Sequence, residues 1–171
     1  MNSNFSDAVA LVLKNEGGYV NNPSDQGGIT NYGISLRFLQ SVNMGATADT
    51  IKNLTIAQAR DIYFKHFWEP NNYEGIYSKP LAIKIFDTCV NVGGSNANKF
   101  LQQALNIIHN TSLAEDGRIG KATLEAVNDL TDVKTLIEVY RLIQKQYYAN
   151  IVIKNNTQLV FLKGWFKRAS N

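Results

Sequence analysis

The stretch from Gly17 to Gly33 sets the terms for the rest of the chain. It is rich in glycine and asparagine, it carries the one convincing strand signal, and the sequence around it reads as helix. Upstream, Phe5, Val9 and Val12 recur at helical spacing, with Ala8 and Leu13 beside them and Ser3 or Ser6 available as a cap. The Gly17-Gly18 pair predicts the stop, because glycine takes the left-handed position after a helix at little cost. Within the stretch, Asn22-Pro23-Ser24-Asp25 reads as a turn between Tyr19-Val20 and Ile29 to Ile34, which predicts a small β-hairpin or ribbon.

Downstream, Ser35 is placed to cap a short helix carrying Leu36 and Leu39. Thr55-Ile56-Ala57-Gln58 has the form of a capping box, opening a helix with Ile56, Ala59, Tyr63 and Phe67 on one face and ending by Glu69. Pro80 fits the first turn of a helix carrying Ile83, Phe86 and Val90. Further helices are predicted from Ser95 through Leu105, after Gly120, from Asp132 to about Ile153, and around Leu162, Trp165 and Phe166. A loop near Asn71 to Ser78 separates a mixed N-terminal part from an all-helical remainder. The expectation is a mainly α (α+β) chain in two regions, 1–78 and 79–171.

Composition narrows the chemistry. One cysteine, Cys89, forbids an internal disulfide framework, and two distant histidines, His66 and His109, argue against a His-rich metal site. No cofactor or metal is expected. The apolar run Ala8 to Leu13 is too short to cross a bilayer, and the start does not read as a secretory signal peptide. The net charge of +3 is slight, and no basic cluster exceeds Lys167-Arg168, so neither nucleic acid nor membrane insertion is expected. Acid–base work must draw on fourteen carboxylates.

Glu16 stands out among them. Eleven positions after Phe5, at about 100° per residue, it falls roughly 20° from Phe5 and so continues the apolar stripe. A carboxylate on an inward face is costly unless paired or used. It also sits in the last turn, where the helix macrodipole disfavours further negative charge. Both effects favour the protonated carboxyl, the property a general acid needs. The bland alternative is a stem that covers apolar surface while its head reaches water. Asp25, in a polar turn, should stay ionised and could partner Glu16, or simply cap its own turn. Thr30 and Tyr32 share strand parity, so a hydroxyl could face the site, or Thr30 could reflect ordinary strand propensity. Tyr19 and Tyr32 could stack on sugar rings or belong to the core. Asp87 lines a cleft or is a solvated helix acid, and Asn91 caps locally or bonds a ligand.

The run Glu16-Gly17-Gly18-Tyr19, Asn22, Asp25, Gly27-Gly28, Thr30 and Tyr32-Gly33-Ile34-Ser35 resembles the signature of glycoside hydrolase family 108. The resemblance continues through Tyr63 and Trp68. Phe86-Asp87, Asn91-Val92-Gly93, Leu101-Gln102, Asp116 to Thr123 and Phe161 to Arg168 resemble the predicted peptidoglycan domain that follows this region in the family. Family members are lysozyme-like N-acetylmuramidases of phages, prophages and secretion-associated loci. The resemblance implies a lysozyme-like fold with a small N-terminal β-hairpin and a helical C-terminal lobe. It implies a catalytic region over 1–78 and a peptidoglycan-binding region over 79–171. It places the catalytic acid on Glu16, with Asp25 and Thr30 positioning water; Tyr19, Tyr32, Asp87 and Asn91 are the candidate substrate contacts that the residues themselves offer. The expected partner is bacterial peptidoglycan, whose β-1,4 bonds between N-acetylmuramic acid and N-acetylglucosamine would be cut. Synthesis is expected in the cytoplasm, with release through a holin, as for a phage endolysin, or an export step, and action in the periplasm or wall. The rival expectations are a non-catalytic wall-binding module, a helical partner-binding protein, and a chitinase-like hydrolase.

Overall fold

The computed structural model describes residues 3–20, 28–42, 45–109 and 112–171. They fall into two compact units, residues 1–66 and residues 67–171. In the first unit the apolar stripe of the N-terminal helix α1 (Ser3–Glu16) is turned inward, with Phe5, Ala8, Val9 and Val12 fully buried. The helix ends as its glycines dictate, at Gly17 with φ +75°. Val20 and Thr30 then exchange backbone hydrogen bonds of 2.8 and 2.9 Å in an antiparallel bridge, the two arms of the expected ribbon. The expected turn at Asn22 to Asp25 lies outside the described residues.

The ribbon departs from expectation beyond Thr30. Instead of running straight to Ile34, it folds back on itself. Strand β1 (Thr30–Asn31) pairs antiparallel with β2 (Ile34–Ser35), Thr30 opposite Ser35 and Asn31 opposite Ile34. Tyr32 and Gly33 form the two-residue turn, with φ +52° and +75°. Positive φ at both central residues defines the type I′ turn that matches strand twist. Tyr32 is therefore a turn residue, and the parity linking it to Thr30 does not apply.

Ser35 caps α2 (Leu36–Ser41), accepting the Phe38 N–H at 3.1 Å. Helix α3 (Ala48–Lys52) is not anticipated by the sequence pattern. At five residues it is too short to show a period, and its capping box uses Thr47 and Thr50 rather than a Glu or Gln. The Thr55–Gln58 box opens α4 (Ile56–Tyr63) as expected. Its buried residues are Ala59, Ile62 and Tyr63, while Ile56 is exposed in the first turn. After Tyr63 the chain widens into a π turn, Phe64–Trp68. The extra residue in that turn makes Trp68, rather than Phe67, the fully buried aromatic.

The second unit begins with single 3₁₀ turns at Glu69–Asn71 and Tyr73–Gly75. Helices α5 (Lys79–Val92), α6 (Gly94–His109), α7 (Lys121–Asn128), α8 (Val133–Lys154) and α9 (Leu159–Ser170) follow. Helix α5 is central, with α6 and α8 both packed on it. Its buried apolar face is Leu81, Ala82, Ile85, Phe86 and Cys89, broader than the Ile83–Phe86–Val90 stripe read from the sequence. A helix covered on several sides has no single stripe to read. Trp68 packs edge-on against Phe86 and Tyr73, with centroids 5.3 and 5.7 Å apart. Burial pushes the Cys89 thiol up to about 11, against a hydrogen bond with Tyr73 that lowers it.

Polar groups on the buried side of α5 fix the C-terminal helix. The Lys84 ammonium donates to the carbonyls of Arg168 and Ala169 at 3.2 and 2.8 Å, at the negative end of α9. Burial holds its pKa at about 8, with Asp87 acting in the opposite sense. Below pH 8 Lys84 is charged folded and unfolded, so its burial cost is fully present. Between pH 8 and 10.5 the unfolded chain binds the extra proton, and stability from this group rises with pH. Above pH 9 Cys89 acts oppositely, since its thiol ionises first in the unfolded chain. The stability of wild type relative to Lys84→Met is therefore expected to rise from pH 8 to 10.5, by on the order of 3 kcal/mol at most. Denaturant unfolding of both proteins across that range measures it, and a flat difference would contradict the assignment.

Candidate active site

Glu16 closes α1 and is partly exposed, at the edge of the buried stripe that it continues. What lies over its stem is the backbone of the Tyr32-Gly33 turn. A β-carbon built on Gly33 would stand 2.7 Å from Glu16 Cγ, 2.8 Å from Glu16 Cβ and 2.8 Å from the Tyr63 hydroxyl. Glycine is needed here twice over, for the positive φ and for the close approach.

The turn is held from two sides. The Tyr63 hydroxyl, from α4, donates to the Tyr32 carbonyl at 2.8 Å. The buried Asn31 amide donates to the Ile51 carbonyl of α3 at 3.0 Å. A left-handed tyrosine costs about 1–2 kcal/mol, and such strain persists only where surrounding contacts over-determine it. The arrangement fixes the last residue of α1 against a rigid hairpin built from α3, α4 and the β-ribbon. Sequence reasoning identified Glu16 and did not identify the Gly33–Tyr63 support. The Tyr-Gly dipeptide between Asn31 and Ile34 was the available signal, weakened by the rarity of tyrosine at positive φ.

The other predicted residues are distributed as follows. Thr30 sits at the centre of the ribbon, paired with Val20 on one edge and Ser35 on the other. Asp25 lies outside the described residues. Tyr19 is 43% exposed, and Tyr32 is partly buried in the turn. Asp87 and Asn91 belong to the second unit. Asp87 is buried, with Arg168 Nε and Nη2 donating to its two carboxylate oxygens at 3.1 and 2.9 Å. Asn91 accepts a hydrogen bond from the buried Tyr148, whose ring stacks on Trp165. Both side chains thus already hold α5 to the C-terminal helices. In the first unit a cavity of about 540 Å³ opens between α2, α3 and α4, with Asp49, Asp61, Lys65 and His66 in its wall and without Glu16. Among the described residues, no helix is long and apolar enough to cross a membrane.

A mainly helical chain with a small antiparallel hairpin packed against a helix-terminal glutamate has the architecture of a lysozyme-type glycoside hydrolase, and the comparisons agree. One solved structure that it resembles is that of Brucella abortus SagA, matched with a TM-score of 0.79 and 29% identity over 97% of this chain and 89% of that one. No curated protein matches the sequence. Residues 9–93 match the family described as Glycosyl hydrolase 108, and residues 96–170 match the Predicted Peptidoglycan domain. The chain thus joins a region of glycosyl hydrolase family 108 to a predicted peptidoglycan domain, the make-up of a lysozyme-type glycoside hydrolase that acts on peptidoglycan.

The Gly33 contact gives a direct expectation. Gly33→Ala should push the Glu16 stem aside and strain the turn, lowering hydrolysis of purified sacculi about 10- to 100-fold, as small displacements of reacting groups do. Helical circular dichroism should be retained. Wild-type rates in that variant would show that the hairpin does not position Glu16.

Proposed function

We propose that the protein hydrolyses the β-1,4 bond between N-acetylmuramic acid and N-acetylglucosamine, with Glu16 as general acid. The carrying observation is the seating of Glu16 at the end of α1 under the Gly33 turn. A carboxyl held by a rigid backbone is placed to deliver a proton to the glycosidic oxygen as the C–O bond breaks. Asp25, with Thr30 positioning the water, is the second carboxylate. It either activates that water or stabilises the oxocarbenium-like transition state. A separation of about 6.5–9.5 Å would give inversion and about 5 Å retention, which proton NMR of the first-formed sugar anomer distinguishes. Tyr19 and Tyr32 supply ring faces for the glycan.

Peptidoglycan lies outside the cytoplasmic membrane, so the reading places synthesis in the cytoplasm, followed by release through a holin, as in phage lysis, or through an export step. Mass spectrometry of the fragments released from purified sacculi tests the bond. Muramic acid at the new reducing end supports the proposal. A glucosamine reducing end would reassign the bond, and fragments with intact glycan strands would overturn the activity.

A further inference from the structure

Tyr77 is accounted for neither by the core nor by the site around Glu16. It is 80% exposed, yet the backbone that carries it is firmly held. Its neighbours Tyr73 and Ile76 are fully buried. Its own N–H donates to Asn128 Oδ1 at 3.0 Å, and the same Asn128 amide donates to the Gly75 carbonyl at 2.8 Å. Gly75 passes so close to α7 that a β-carbon there would stand 2.8 Å from Leu124 Cδ1. An exposed tyrosine on a loose loop needs no explanation. A ring standing on an immobilised segment is a preorganised contact surface, which loses little freedom when something docks on it.

Beside the ring opens a cleft of about 460 Å³, walled by Tyr77, Asn72, Leu124, Lys121, Glu125 and Asn128. Its ionic groups are Asp129 and a solvated pair, Lys121 and Glu125, at 3.7 Å with side chains 88% and 62% exposed. The wall therefore combines an aromatic face and a leucine with amides and water-accessible hydrogen-bonding groups. A hexosamine ring has the complementary chemistry, with an apolar C–H face and an edge of hydroxyl and acetamido groups. The cleft joins a segment of the hydrolase-family region, Asn72 to Tyr77, to the first helix of the peptidoglycan-domain region after Gly120.

We propose that Tyr77 and this cleft form a saccharide subsite on the second unit that holds an N-acetylated glycan strand of peptidoglycan. The inference rests on the reading of the chain as a muramidase and adds the surface by which the second unit grips the substrate. The probe is purified, protein-free sacculi, and retention is measured by co-sedimentation over a range of protein concentrations in a Glu16→Gln background that leaves the strands uncut. Tyr77→Ala should weaken retention about fivefold, the scale of one aromatic contact, with an unchanged melting temperature. Tyr77→Trp should restore it. Undiminished retention of Tyr77→Ala overturns the subsite, as does a Tyr77→Trp variant that folds normally and binds as weakly as the alanine form. Failure of the muramidase reading itself would show separately, as a wild-type protein that releases no reducing ends while these retention ratios are still read.

Discussion

Glu16→Gln is expected to lower reducing-end release from sacculi by about 10²- to 10⁴-fold, the contribution of a positioned general acid, without unfolding the chain. Glutamine keeps the side-chain shape, so the methylenes that meet Gly33 are unchanged. The buried stripe of Phe5, Val9 and Val12 is untouched. On the proposed mechanism, what is lost is the proton that the leaving sugar oxygen requires. Thermal unfolding and circular dichroism should match wild type, and retention on sacculi should persist. A variant that lyses sacculi at wild-type rate would remove Glu16 from the mechanism. A variant that melts well below wild type would show that Glu16 serves the end of α1 instead.

The largest effect on stability is expected from Arg168→Ala. Arg168 donates to both carboxylate oxygens of Asp87, whose side chain is only 8% exposed. Removing the guanidinium leaves a buried carboxylate whose remaining electrostatic partner includes Lys84. Breaking one side of a buried pair costs about 3–5 kcal/mol, which for a chain of this length lowers the melting temperature by roughly 6–15 °C. Replacing both partners, as Asp87→Leu with Arg168→Met, should recover part of that loss, because neither member of the pair is left behind, although Lys84 loses the attraction of Asp87. A double variant less stable than either single one would show that the pair is a net stabiliser. Calorimetry of Arg168→Ala, Asp87→Leu, Arg168→Met and the double variant decides between these outcomes.

The elements that are local in sequence were legible there. Glu16 at the end of an apolar stripe, the glycine stop behind it, and the caps at Ser35 and Thr55 each depend on residues within a turn of one another. What sequence reasoning missed depends on distant partners. Tyr32 enters a left-handed turn with the help of Tyr63, thirty-one positions away, and Asp87 finds its guanidinium eighty-one positions away. Neither distance leaves a periodic trace. Helix α3 was missed for the opposite reason, being too short to display a period. The stripe of α5 was misread because a helix packed on by several neighbours buries more than one face.

Helix α5 also bears on how this protein could be recombined with others. By sequence family it closes the hydrolase region, which runs to residue 93, yet its buried side chains complete the unit that starts at residue 67. A chimera spliced at the family border would hand α5 to the wrong host. Leu81, Ile85 and Phe86 would then face water in one product, and α6 and α8 would lose their central post in the other. The seam where modules could be exchanged lies instead at the π turn, almost thirty residues earlier, within the stretch that sequence alone would assign to the enzyme.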